Sequence, residues 1–156
     1  MEFPTIVSGG QTGADRSALD WAIARHILHG GWCPAGRLAE DGKIGPAYNL
    51  KETPEAQYLQ RTEWNVRDSD GTVVFSIRPD LSGGSLATMK LVSQLGKPGI
   101  HLFKSQTPSE NAAQLCRFIR KHEVKILNVA GPRASGEPKI GPFIHSIFDE
   151  LFENWE

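Results

Sequence analysis

Two rhythms of apolar and polar positions alternate along the chain. Short apolar runs of strand length cover Thr5–Ser8, Thr72–Ile77, Gly99–Phe103 and Val124–Ala130. Between them, apolar residues return every three or four positions, the period of a helix with one buried face. The first such stretch predicts a helix over Asp15–Leu28, with Ala18, Leu19, Ala22, Ile23 and Ile27 aligned and Gly30-Gly31 as its stop. Trp32-Cys33 reads as a short strand ending at Pro34. Residues 35–53 read as irregular, broken by Gly36, Gly42, Gly45 and Pro46. Further helices are predicted over Glu55–Asp68, Gly84–Leu95, Asn111–His122 and Ile140–Trp155. The last carries Phe143, Ile144, Ile147, Phe148, Leu151, Phe152 and Trp155 at helical spacing, which marks core or a subunit interface.

Strands that alternate with crossover helices imply a mostly parallel sheet covered on both faces. A length of 156 residues suits one domain spanning 1–156. Hydrophobic residues at 39% and charged residues at 22% are those of a soluble globular protein. A net charge of −1 excludes the basic footprint of a dedicated nucleic-acid binder. No apolar run approaches the ~20 residues that span a bilayer. Glu2 precedes the first strand, so no signal peptide is expected, and Cys33 and Cys116 lie too far apart to pair as a metal or disulfide motif. A reducing, cytoplasmic setting is expected.

Ligands of such sheets sit beyond the carboxyl ends of the strands. There the first strand delivers Gly9-Gly10-Gln11-Thr12-Gly13, with Arg16 in the following turn, and the second delivers Gly36-Arg37. The third delivers Arg78 and Ser82-Gly83-Gly84-Ser85, opening a helix that bears Thr88. The fourth delivers Lys104-Ser105-Gln106, and the fifth Asn128 through Gly131 to Arg133. Glycine loops that run into helices aim amides and the positive helix end at one point, and guanidinium groups beside them suit phosphate or another oxyanion. The candidate ligand-binding residues are therefore Gly9, Gly10, Gln11, Thr12, Gly13, Arg16, Arg37, Arg78, Ser82, Gly83, Gly84, Ser85, Thr88, Asn128, Gly131 and Arg133. The prime positions for close backbone access are Gly10, Gly13 and Gly83, and Arg37 and Arg133 are expected to hold the phosphate.

Known phosphate motifs are matched only in part. No lysine follows Gly13 as a P-loop requires, and Gly10-Gln-Thr-Gly13 is half of a dinucleotide fingerprint. Taken together, however, "SGGQTGADRSALDWA", "GGWCPAGRLAEDG", "NVRDSDGTVVF", "SGGSLAT" and "NVAGPRAS" resemble the putative molybdenum carrier family, related to the YpsA-like proteins of the SLOG group. The resemblance runs in order along nearly the whole chain. It implies a Rossmann-like three-layer α/β/α sandwich of about five strands, in the order 3-2-1-4-5. It also implies a nucleotide or molybdopterin-type ligand and a homo-oligomer, as is common among relatives. The related phosphoribohydrolases carry Pro-Gly-Gly-x-Gly-Thr-x-x-Glu. Here Ser82, Leu86, Ala87 and Lys90 stand at the first proline, third glycine, threonine and glutamate positions. The hydrolytic carboxylate is missing, and Asp15, Glu40 or Asp41 replaces it only if the fold carries one of them to the glycine loops.

The remaining candidates have structural readings. Cys33, ending a short strand, reads as a small buried hydrophobe ahead of a nucleophile. His26 and His29 read as solvent-facing or as partners of a helix C-terminus. Asp68 and Asp70 form the turn into the third strand. Trp21 and Trp64 belong to helix cores, and Trp32 stays open between packing and stacking on a ring. No catalytic residue and no metal ligand is assigned. The leading function is binding of a phosphate-bearing nucleotide or pterin-type cofactor. A nucleotide-processing hydrolase comes next, and a DprA-like single-stranded DNA binder is disfavoured by charge.

Overall fold

The computed structural model describes residues 1–105 and 107–156; Gln106, one of the loop residues named above, lies outside them. In chain order the described elements are β1 (Thr5–Val7), α1 (Ala14–Ala24), β2 (His29–Gly30), β3 (Trp32–Cys33), β4 (Leu38–Ala39) and β5 (Gly42–Lys43). They continue with β6 (Lys51–Glu52), α2 (Tyr58–Arg67), β7 (Gly71–Ser76), α3 (Gly83–Gln94), β8 (Gly99–Phe103), α4 (Pro108–Lys121), β9 (Ile126–Ala130) and α5 (Ile140–Glu153). The central sheet is parallel throughout, in the order β2-β1-β9-β7-β8. With helices on its faces it is the expected Rossmann-like sandwich. Among the described residues no helix is long and apolar enough to cross a membrane.

The expected strand order 3-2-1-4-5 is corrected to 2-1-5-3-4 in the same numbering, because the last strand enters the middle. Leu127, Asn128 and Val129 are buried, and β9 is bonded on both sides, with Thr5 opposite Ile126 and Thr72 opposite Asn128. β8, with Gly99 exposed and its neighbours half-buried, takes the edge. The second strand is corrected as well. His29–Gly30 pairs with β1, whereas Trp32–Cys33 pairs with Lys51–Glu52 in a separate ribbon. This pairing also shortens the first helix. The amide of Ile6 donates to Leu28 at 3.0 Å and that of Ser8 to Gly30 at 3.2 Å, which withdraws those residues from the helix. Consequently His26 stays exposed at the end of α1, in a left-handed turn (φ 57°) just past its last residues, whereas His29 moves into β2.

At α4 the helix starts earlier than its apolar stripe suggests. Thr107 accepts from the Glu110 amide, Glu110 reaches back to the Thr107 amide, and Pro108 occupies the first turn, a reciprocal cap.

The core lies between the sheet and α1, α4 and α5. α5 packs against both other helices. Phe148 stacks on Trp21 with centroids 5.1 Å apart and meets Phe75 of β7 edge-on at 5.8 Å. Phe152 and Trp155 close on Phe3 at 5.4 and 5.2 Å. The apolar stripe of the last helix therefore closes the core of one chain. Because side chains alternate across a strand, Val73 and Phe75 enter this core while Thr72, Val74 and Ser76 face the other side, where α2 and α3 pack on each other.

Between β3 and α2 the chain forms a lobe built on Arg37. Its Nε donates to Ile44 O at 3.1 Å, Nη1 to Leu50 O at 3.2 Å, and Nη2 to Gly45 O at 2.8 Å and Tyr48 O at 3.1 Å. All three nitrogens of this guanidinium donate to backbone carbonyls, through four bonds in all, so Arg37 organises the lobe and does not reach the cleft described below. Arg37→Ala should cost about 1–3 kcal/mol in chemical denaturation, since it strands carbonyls in a partly buried turn. A stability within about 0.5 kcal/mol of the parent, the range of ordinary surface changes, would contradict this role.

Candidate functional site

A cleft of about 470 Å³ opens at the carboxyl ends of β1, β9 and β7, a size suited to a small ligand. Its walls come from the loop after β1, the loop after β9, the start of α3 and the first two turns of α2. Of the sequence candidates, Gly9, Gln11, Ser82, Gly83, Gly84, Ser85, Thr88, Asn128, Gly131 and Arg133 line it. Gly10, Thr12, Gly13, Arg16, Arg37 and Arg78 stand elsewhere.

The first glycine loop is turned toward the protein itself. Gly13 holds φ 78°, and a Cβ there would collide with the Pro132 carbonyl oxygen. That same oxygen accepts the Ala14 amide at 3.0 Å and so closes the start of α1. The Gln11 amide donates to Asp15 Oδ2 at 3.2 Å and the Thr12 amide to Gln11 Oε1 at 3.0 Å. Gly10 makes room for Leu50 and Ile44 rather than for a ligand. Arg16 donates to Gly10 O at 3.0 Å and pairs with Asp41 at 2.9 Å. With the amides of Ala14, Arg16 and Ser17 engaged and the Asp15 carboxyl in its first turn, α1 is a poor place for an anion.

The start of α3 is the opposite case. Among the described residues the amides of Gly83, Gly84 and Ser85 have no acceptor, and the first intrahelical bond runs from Leu86 N to Ser82 O at 3.3 Å. No side chain caps this end, and no acid lies in its first turn. Gly83 (φ 54°) and Gly84 have open space where a Cβ would stand. Thr88 ties its hydroxyl to Gly84 O at 2.9 Å. These amides face the same cleft as two cations, the exposed Arg133 and the buried Arg61.

Arg61 was not among the sequence candidates, because an arginine inside a helix reads as solvated surface. Its one trace in the sequence is distant, at Gly9, where a Cβ would collide with the Arg61 guanidinium. Arg61 is only 8% exposed; Nη1 donates to Gly9 O at 2.8 Å, Nε to Thr62 Oγ1 at 3.2 Å, and the guanidinium carbon lies 4.9 Å from the Tyr58 ring centre. It stands 3.6 Å from Asp15 Oδ2. Burial pushes the Asp15 carboxyl up, against the opposing pull of Arg61. Asp15 is the sole carboxylate among the described lining residues.

Gln11 completes the inner wall. Its Oε1 accepts from the amides of Thr12 at 3.0 Å and Glu40 at 2.9 Å, which fixes which end of the side-chain amide is oxygen. Among the described residues the other end, Nε2, is buried without an acceptor. A donor stranded in this way costs about 1–3 kcal/mol.

The other two acids weighed as replacements for the missing carboxylate form a clasp. Glu40, on the β4–β5 hairpin, accepts from Thr12 Oγ1 at 2.5 Å, from Ser135 N at 3.1 Å and from Ser135 Oγ at 2.7 Å. These bonds hold its carboxyl below the usual range, as the Arg16 contact does for Asp41.

Cys33 is buried with its thiol pushed up by burial, and it does not line the cleft. Trp32 packs edge-on against Trp64 at 4.8 Å, donates to Asp68 at 2.9 Å and does not line the cleft. Asp70 accepts the amides of Lys125 and Ile126, on the edge opposite the cleft. Among the described residues no three His, Cys, Asp or Glu side chains gather as a metal nest.

Comparison with known proteins agrees with this architecture. Among curated proteins none matches. The crystal structure of "Putative molybdenum carrier protein" from Syntrophus aciditrophicus SB, at 1.45 Å resolution, is 42% identical, with a TM-score of 0.93, over 96% of this chain and 94% of that one. The model of the circularly permutated YpsA SLOG family matches residues 6–152. A parallel sheet with its last strand in the middle, a cleft at its carboxyl edge and a match over nearly the whole length lead to one assignment: the chain belongs to the circularly permutated YpsA SLOG family.

Proposed function

We propose that this chain binds a phosphate-bearing small molecule, a nucleotide or a pterin-type cofactor, with the phosphate over the amides of Gly83, Gly84 and Ser85. The observation that carries this reading is a helix start with neither cap nor acid, facing the same ligand-sized cleft as Arg61. Donors at a helix N-terminus and a guanidinium held by its neighbours both favour an oxyanion, and their geometry is set before the ligand arrives. Tyr58 and Leu59, 37% and 61% exposed on the rim, offer an apolar surface for a flat ring.

The neighbour's name raises molybdenum. The cleft's donors are amides, hydroxyls and guanidinium groups, and its one carboxylate lies beside Arg61. That set does not fit a bare metal ion, which needs several anionic or imidazole ligands converging. It fits the phosphate and ring of an organic cofactor, whatever metal such a cofactor carries.

A second reading, hydrolysis of a nucleotide, is favoured by Asp15, whose buried carboxyl shares the cleft with the start of α3. Asp15 would take a proton from water as the oxygen adds to the anomeric carbon and the C–N bond breaks. The products are a sugar phosphate and a free base carrying the returned proton. Incubation with nucleoside monophosphates and chromatography for free base tests this. Release that disappears in Asp15→Asn supports hydrolysis, and no release from the parent protein rejects it.

The binding reading is tested at Gly84, where a side chain has open space. Gly84→Asp puts a carboxylate in the first turn of α3, which stabilises a helix by about 0.3–1 kcal/mol while repelling an anion. Thermal stability should hold or rise. Affinity for inorganic phosphate, followed by the amide shifts of Gly83 to Ser85, should fall by about tenfold to a hundredfold. Unchanged affinity would contradict the proposed subsite.

A further inference from the structure

Among the described residues the buried donor on Gln11 finds no acceptor. The residue is 6% exposed and lines the cleft, and its Oε1 is held by two backbone amides. Rotating the amide to satisfy Nε2 would set nitrogen against the Thr12 and Glu40 amides, donor against donor. Among the described residues the side chain thus presents an NH2 group, in one orientation, with no acceptor for it.

Gln11 follows β1 and α3 follows β7, with β9 between them. Two strand spacings separate those strands by roughly 10 Å. Inorganic phosphate seated on the amides of Gly83 to Ser85 would not bridge that distance. A molecule with a phosphate at one end and a ring at the other would.

We infer that Gln11 Nε2 is the specificity contact of the cleft, donating to a ring carbonyl of the ligand's heterocycle. The inference rests on the phosphate-binding reading above and adds the class of ring: an oxo-heterocycle, such as a 6-oxopurine or an oxopterin, in preference to an aminopurine. A ring carbonyl brings lone pairs to the stranded N–H. An exocyclic amine brings a second donor and leaves both unpaired, and such mismatches dominate discrimination between otherwise similar ligands.

The test uses GMP, AMP and inorganic phosphate with the full chain in titration calorimetry. The wild-type protein should bind GMP about tenfold tighter than AMP, and both tighter than phosphate. Gln11→Glu keeps an oxygen toward the two backbone amides but replaces the donor with an acceptor, so the preference should turn toward AMP. Gln11→Met removes the donor without adding charge and should bring the ratio near one; it decides the matter if Gln11→Glu does not fold. AMP binding as tightly as GMP, or an unaltered ratio in the folded variants, overturns the inference. Phosphate binding alongside such a result leaves the phosphate subsite standing, and loss of all three ligands from the wild-type protein overturns both.

Discussion

The Pro132 carbonyl accepts the first amide of α1 at 3.0 Å, and the polarity of the cleft follows from that bond. It pins the loop after β9 against the start of α1, an approach that needs Gly13 because a Cβ would strike the same oxygen. Gly131 packs as closely, against Ala14 and the Phe75 carbonyl. With α1 closed, and with Asp15 in its first turn, α3 is the glycine-bearing helix start that faces the cleft with neither cap nor acid. The glycine-rich motif nearest the amino terminus thus builds the wall, and the second glycine pair supplies the donors.

Arg61 is held in the same economy of space. Its guanidinium occupies the volume a side chain at residue 9 would take and spends one N–H on the Gly9 carbonyl. A buried cation with only a partial counter-ion is costly alone. Here the Asp15 carboxylate at 3.6 Å offsets part of that cost, and burial in turn makes the carboxyl harder to ionise. An arriving phosphate would complete the compensation. That is a physical reason for the cleft to favour an anion over a neutral ring.

Much of this was legible in the sequence, for identifiable reasons. Apolar rhythm is a local property, so the helices and the long strands fall close to their predicted places, and α4 differs only where the Thr107 cap extends it. The carboxyl edge of a parallel sheet follows from the alternation alone, and ten of the sixteen candidate residues line the cleft there. What escaped was non-local. The central position of β9 depends on which neighbours its two faces meet. Glu40 finds Ser135 across 95 positions of chain. Arg37 beside a glycine looks ready to reach a ligand, yet its φ of 57° turns it back onto four carbonyls of its own lobe. Arg61 hides on a helix because nothing in its neighbours announces burial.

The central claim is that the anion site belongs to α3 and not to α1. Crystals soaked in tungstate, an oxyanion visible by its anomalous scattering, test it most directly. The account predicts one dominant peak within hydrogen-bond reach of the Gly83, Gly84 and Ser85 amides, on the side facing Arg61. A peak over the Gly9–Gly13 loop with the start of α3 empty would contradict it.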